Sequence, residues 1–296
     1  MLIGAHIPVG DGLLSACAYA LDTGCETIQI FAKSPRMWHG PSRDPADAKA
    51  FIDERVGLGL GPVFTHAAYL INLGSSDPLL WERSIDALAD ELRRADQLDA
   101  AAVIVHAGTT YDGVNATPAG RVAEAVARAW EASGVGESGP AVALENAAGA
   151  GRSFGSRMED LCEAASSARL LGAKTAVCFD TCHGFAGGID VSRPEGWSEV
   201  CDRVESALGA GGLLAIHAND CKGELGSHKD RHEWIGDGFV GYAGFAAMFA
   251  EPRLYEVPVI LEMPGEPPGK DAVNVARLRT LRDGDGAAAD RSPASA

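Results

Sequence analysis

The sequence predicts a single α/β domain folded as a (β/α)8 TIM barrel with its site at the C-terminal mouth of the strands. Eight short runs rich in Val, Ile and Ala, almost free of charge, recur along the chain. Such runs suit parallel strands covered on both faces. The segments between them carry helical periodicity with start and stop signals. The third to the eighth run each end on a histidine or a carboxylate. In a barrel the C-terminal strand ends converge on one mouth, where the chemistry sits. An open doubly wound sheet is the alternative, but no GxGxxG follows the first run.

Taken in order, "LIGAH" (2–6), "ETIQIFA" (26–32) and "PVFTH" (62–66) are the first three strands. Asp77-Pro78 then supplies an N-cap and a proline at the first helical position. Trp81, Ile85, Leu88, Leu92 and Ala95 continue that helix with a 4-3-4-3 apolar stripe. After "AAVIVH" (101–106), Thr117-Pro118 repeats the start before Val122, Val126 and Ala129. "AVALE" (141–145) is followed by Ser156 and Glu159, spaced as a capping box, and by Gly172 as a helix stop. "TAVCFD" (175–180), "LLAIH" (213–217) and "VPVILE" (257–262) complete the set. The barrel domain is expected over 1–281, with "RDGDGAAADRSPASA" (282–296) a disordered low-complexity tail.

Composition sets the class. Of the 296 residues, 46% are hydrophobic and 22% charged, as in ordinary globular proteins. The opening "MLIGAHIPVG" lacks a signal peptide's basic and apolar segments, and no run is long enough to span a bilayer. Seven scattered cysteines without a CxxC pair argue against a disulfide framework, so a cytoplasmic protein without a membrane partner is expected. The formal charge of −16 lowers the expectation of a nucleic-acid partner. It does not exclude one, because bound dications can make a site locally positive.

The strand ends carry His66, His106, Glu145, Asp180, His217 and Glu262. His183 follows Asp180 by three residues, within reach of the mouth through a tight turn. Asp230 and His232 are two apart, so an extended segment points both the same way. Five imidazoles and four carboxylates exceed the coordination of one ion and suit two or three sharing a bridging carboxylate. Zn²⁺ fits this nitrogen and oxygen mixture, with Mn²⁺ or Fe²⁺ as alternatives. Without cations, four clustered carboxylates would in part protonate through desolvation and repulsion. His6 also ends a strand, as a ligand or as a ligand's hydrogen-bond partner. His39 and His228 read as surface residues, and Cys182 as a thiol outside an already complete nitrogen and oxygen set. The other cysteines read as small buried hydrophobes.

These residues resemble the endonuclease IV family of apurinic/apyrimidinic endonucleases, trinuclear-zinc barrel nucleases of DNA repair. "HAAYLINLG" (66–74), "ENAAGAG" (145–151), "VCFDTCHGFAGG" (177–188) and "HANDCKGELGSHKDRH" (217–232) carry the likeness, which extends from "IGAH" (3–6) to "LE" (261–262). The resemblance implies that His66, His106 and Glu145 hold a first zinc. It implies that Glu145 bridges to a second held by Asp180, His217 and Glu262, and that His183, Asp230 and His232 hold a third. Manganese is the alternative at one or more sites. The implied reaction is hydrolysis of the DNA phosphodiester 5′ to an abasic site in base excision repair, leaving a 3′-hydroxyl and a 5′-deoxyribose phosphate. Glu145 and Glu262 are the implied catalytic carboxylates.

The implied partner is double-stranded DNA with an abasic site. Arg36 from "KSPRMW" (33–38), and Tyr69 and Leu70 from "AYLIN" (68–72), match the family's wedge and gap-filling loops. Met37 departs from the pattern, standing where a polar residue such as Gln is expected. Lys33, Arg36, Arg43, Arg152, Lys222, Lys229 and Arg231 are the candidate phosphate contacts around the rim. A monomer is expected, since the mouth must admit a duplex. The competing class is a sugar isomerase or epimerase on a similar metal-bearing barrel, which accounts for one or two ions but not for the third ligand set.

Overall fold

The computed structural model describes residues 1–110, 117–266 and 268–284. Eight parallel strands close on themselves. In chain order they are β1 (Ile3–His6), β2 (Thr27–Phe31), β3 (Val63–His66), β4 (Ala100–His106), β5 (Ala141–Glu145), β6 (Thr175–Asp180) and β7 (Leu213–His217), then β10 (Val259–Leu261). Between β7 and β10 a two-stranded ribbon, β8 (Asp220–Cys221) and β9 (His232–Glu233), lies outside the barrel. β10 pairs with β1 and β7, which closes the ring.

The helices are α1 (Leu13–Thr23), α2 (Pro45–Gly57), α3 (Pro78–Gln97), α4 (Pro118–Ser133), α5 (Met158–Leu170), α6 (Thr181–Gly187), α7 (Pro194–Leu208), α8 (Gly241–Ala250) and α9 (Gly269–Asp283). Asp77 accepts the N–H of Leu79, and Thr117 that of Gly120, as their sequence positions predict. The stripe from Trp81 to Ala95 is buried against the barrel. The expected capping box at Ser156 does not form. Helix α5 starts at Met158 behind Arg157, with no side-chain cap, and its entry is set instead by burial of Phe154 and Met158.

The last helix also runs past the expected domain boundary at 281. Arg282 donates to the Met1 carbonyl at 2.9 Å and pairs with Glu26, which in turn accepts the Ile3 N–H at 3.0 Å. This ties α9 to the strand that opens the chain, so Arg282 and Asp283 belong to the barrel. The remainder of the expected tail, 285–296, lies outside the described residues.

The barrel interior is filled by Phe64, Ala102, Ile104, Ala141, Ala143, Cys178, Ala215 and Ile260. A second apolar layer, larger in side-chain volume, lies between strands and helices. The small inward residues fit a closed ring whose wall is only one strand thick. Gly4 of β1 shows how tight it is: a Cβ there would stand 1.8 Å from the Thr27 carbonyl oxygen on β2. Gly4→Ala is therefore expected to destabilise the fold by about 3 kcal/mol, the upper end for overpacked cores. Equilibrium denaturant unfolding measures it, and an unchanged midpoint would contradict the closure described.

Candidate metal centre

Strand periodicity builds the site. Side chains alternate between faces with period two, so each inward core residue is followed, two positions on, by another inward residue at the mouth. Phe64 leads to His66, Ile104 to His106, Ala143 to Glu145, Cys178 to Asp180, Ala215 to His217 and Ile260 to Glu262. Register brings the ends level: His106 pairs with Glu145 across β4 and β5, and Asp180 with His217 across β6 and β7.

The donor atoms meet in sets whose members lie within 4.8 Å of one another: His66, His106 and Glu145; Glu145, Asp180, His217 and Glu262; His183, Asp230 and His232. Glu145 belongs to two of them. Its Oε2 faces His66 Nε2 at 3.2 Å and His106 Nε2 at 3.3 Å, while its Oε1 faces His217 Nδ1 at 3.1 Å. In the third set Asp230 lies 3.2 Å from His183 Nε2 and 3.4 Å from His232 Nε2. His183 arrives there on the first turn of α6, which Asp180 caps by accepting its N–H at 2.7 Å. The tight turn expected from sequence is thus a helix start.

The imidazoles are oriented by groups behind them. His66 Nδ1 donates to the Ala67 carbonyl (2.8 Å), His183 Nδ1 to that of Asn146 (3.1 Å), and His232 Nδ1 to that of Glu262 (2.9 Å). His217 uses its other nitrogen, with Nε2 donating to Gln29 Oε1 at 2.8 Å. Each of these rings then aims a bare nitrogen at the cluster, the tautomer that metal-ligating histidines take. His232 Nε2 is buried without a hydrogen-bond partner among the described residues, a demand that a cation would satisfy. The donor set therefore fits bound dications.

The electrostatics agree. Burial opposes ionisation of Glu145, yet His106, His217 and His183 hold its carboxyl well below the usual range. Burial likewise opposes the charge on Glu262, which His217 and His6 hold well below its ordinary value. His183 and His217 are pushed well above the usual imidazole value, against burial, by neighbours that include Asp180 for the former and Cys178, Glu262 and Glu145 for the latter. The cluster, left to itself, takes up protons where cations would sit.

Several residues around the centre escaped the sequence reading. Gln29, on the inward face of β2, donates to Glu262 Oε1 at 2.7 Å besides accepting from His217. Asn146 brackets Asp180, accepting its N–H at 2.6 Å and donating to its carbonyl at 3.0 Å. Asn219 donates to Asp180 Oδ2 at 2.6 Å and accepts the Glu262 N–H at 2.8 Å. Strand parity was the signal available for Gln29. Asn146 directly follows one candidate ligand, and Asn219 lies two residues after another.

His6 stands beside Glu262, Nδ1 to Oε1 3.2 Å, outside every donor set, which places it as a partner of that carboxylate. Cys182 does come within reach, forming a further set with Asp180 and His232. Its thiol is hydrogen-bonded with Cys221 and buried, both of which push it up and keep it protonated, a poor state for ligation.

Tyr69 is 67% exposed and Met37 45%, so both present large apolar surface to solvent. Arg36 is exposed and Leu70 half-buried. The Tyr69 ring lies 6.0 Å from that of His66. Lys33 is not a rim cation: it is buried in an ion pair with Glu91. Arg43 is half-buried, with its guanidinium donating to the Ala32 carbonyl at 2.6 Å, and Lys222 pairs with Glu233 at 3.2 Å. Arg36, Arg152, Lys229 and Arg231 reach solvent.

A parallel barrel that gathers imidazoles and carboxylates at one mouth defines a class of metal-site barrel proteins. The family model of the xylose isomerase-like TIM barrel matches residues 17–282. Within that class the chain belongs to the endonuclease IV family. A relative from Methanoculleus marisnigri named "Probable endonuclease 4" is 38% identical over 281 residues, covering 95% of this chain and 99% of the relative. The crystal structure of endonuclease IV from Thermus thermophilus superposes with a TM-score of 0.84 at 34% identity, over 96% of this chain and 100% of that one. A D-tagatose 3-epimerase-like protein superposes at 0.69 with 16% identity over 96% of this chain and 99% of that one, a likeness of fold alone.

Metal and proton compete for the same imidazoles, so dication binding strengthens as pH rises. In the metal-free protein the raised values of His183 and His217 stabilise the fold fully below about pH 6.5. That contribution is lost as pH rises through their folded values. The gap in melting temperature between metal-loaded and metal-stripped protein should therefore widen from about pH 6 to pH 8. Scanning calorimetry at matched ionic strength measures the gap, and a constant difference would contradict this account.

Proposed function

We infer that the protein is a metal-dependent apurinic/apyrimidinic endonuclease, hydrolysing the DNA phosphodiester 5′ to an abasic site to leave a 3′-hydroxyl and a 5′-deoxyribose phosphate. The observation that carries this reading is the arrangement of three donor sets at one open mouth, two of them sharing Glu145. Membership of the endonuclease IV family supports it. A sugar epimerase of similar fold is the weaker reading, since it leaves the set formed by His183, Asp230 and His232 without a task.

His66, His106 and Glu145 would hold one zinc; Glu145, Asp180, His217 and Glu262 a second; His183, Asp230 and His232 a third, with manganese an alternative. Bound dications supply Lewis-acid polarisation of the phosphodiester and a nucleophilic water at neutral pH. The protein's own groups do the rest. Glu145 keeps adjacent sets at fixed separation, and Gln29 and His6 orient Glu262 toward the reacting phosphate. Tyr69, Leu70 and Arg36 fill or prop the gap that a missing base leaves, where unstacking costs least. Met37 takes part as an apolar wedge in place of a polar group. Arg36, Arg152, Lys229 and Arg231 meet flanking phosphates, and the enzyme acts as a monomer.

Purified protein, with metal content measured, should nick a duplex carrying one abasic-site analogue on its 5′ side, and lose that activity on metal stripping. Fewer than two bound ions per chain, or a nick independent of metal, would defeat the reading. Glu145→Gln should reduce kcat by about a thousandfold or more, the scale for losing a metal-organising or charge-stabilising group, with far-UV circular dichroism unchanged. Tyr69→Ala should raise KM about tenfold with little change in kcat, the signature of lost binding rather than lost chemistry.

A further inference from the structure

Lys33 and Glu91 form an ion pair whose side chains are 2% and 1% exposed. Lys33 lies in the segment between β2 and α2, and Glu91 on the buried face of α3. The same Glu91 Oε1 accepts the backbone N–H of Ala68, 3.0 Å away, in the segment after β3. One carboxylate oxygen thus grips both segments that carry the exposed side chains Arg36, Met37 and Tyr69.

Other contacts extend the grip. The Tyr69 N–H donates to the Pro35 carbonyl at 3.2 Å, joining the segments directly. Arg94, on the turn after Glu91, donates to the Gly40 and Pro41 carbonyls at 2.7 and 2.9 Å. The fit has no slack: a Cβ on Gly40 would meet Lys33 Cβ at 2.8 Å and the Arg94 guanidinium carbon at 3.2 Å.

As a stabilising device this pair is poor. Two charges leave water, and Glu91 Oε2 is buried with no hydrogen-bond partner among the described residues. Desolvation costs of this kind often cancel the Coulomb attraction, so that an apolar pair packs as well. What a buried pair can supply instead is register. We propose that Lys33 and Glu91 are positioning residues that fuse segments 33–43 and 67–75 into one rigid jaw, which presents Arg36, Met37 and Tyr69 to damaged DNA as a unit. A jaw ordered in advance avoids the entropy of ordering those side chains on binding. The inference rests on the DNA reading above.

The test uses the metal-loaded full chain, as Glu91→Gln and as the apolar pair Lys33→Met with Glu91→Leu. Hydrogen exchange should rise in segments 33–43 and 67–75 together, about tenfold or more, with metal content unchanged. On the abasic-analogue duplex, KM should rise about tenfold while kcat stays within about threefold. Exchange rising in one segment alone, an unchanged KM, or a fall in kcat that tracks lost metal would overturn the proposal. Should these variants not fold, Gly40→Ala carries the test with the same expectations, since it keeps both charges and displaces Lys33 and the Arg94 guanidinium. If the wild-type protein does not cut the duplex, the functional reading fails, and the exchange measurement still decides the jaw.

Discussion

A carboxylate with no solvent exposure, Glu145, stays ionised at the centre of this barrel, and the architecture around it follows from that requirement. Burial alone would neutralise such a group. It remains charged because three strands and a helix start each bring an imidazole beside it, and the His66 and His217 rings are aligned on their far sides by the Ala67 carbonyl and by Gln29. The barrel is what makes this possible. Closed parallel strands bring every last inward side chain to the same rim, where opposite charges offset each other's desolvation.

The acidity of the chain takes on a particular sense beside this site. A net charge of −16 repels a polyanion over most of the surface. Productive approach, on the inferred function, would be confined to the mouth, where bound dications would reverse the local sign and the exposed Lys229 and Arg231 adjoin Asp230 of the third donor set. On the inferred function, general affinity for DNA is low and selection falls to the geometry of the lip. On the same reading, the exposed ring of Tyr69 and the thioether of Met37 are apolar surface that a gap in a base stack would cover.

What was legible in the sequence was whatever depends on short-range periodicity. Strands and their terminal His, Asp and Glu could be read because parity and the abrupt change from apolar to polar are local signals. Helix starts at Asp77 and Thr117 were legible for the same reason, since cap and proline are adjacent. Ser156 misled because its cap competes with burial of Phe154 and Met158, which only the tertiary fold decides. Lys33 misled in the same way. A lysine near a mouth reads as a rim cation until its partner, Glu91, arrives from a helix 58 residues on. Gln29, Asn146 and Asn219 carry no charge, so their spacing with acidic neighbours looks ordinary until the hydrogen bonds are seen.

The ribbon between β7 and α8 separates this centre from a generic metal-bearing barrel. Strand ends alone supply the sets built on Glu145, and any barrel with a polar mouth could evolve them. Asp230 and His232 are different, because they come from a long excursion that must be folded back over the mouth. Pairing of Cys221 with His232 turns that excursion back, and the Asp220 carboxylate fixes the segment that follows, accepting backbone N–H groups from Cys221, Gly236, Gly238, Val240 and Gly241. A Cβ at Gly238 would come within 2.5 Å of Asp220 Oδ1, so the glycine is required for the wrap. Burial pushes this carboxyl up, and the backbone donors gathered on it counter that in part. A sugar ring asks for no such excursion, whereas a phosphodiester with charge on both the attacked and the departing side needs cations on more than one face. On the inferred function, the ribbon that carries Asp230 and His232 is therefore the feature of this mouth that favours phosphoryl chemistry over isomerisation.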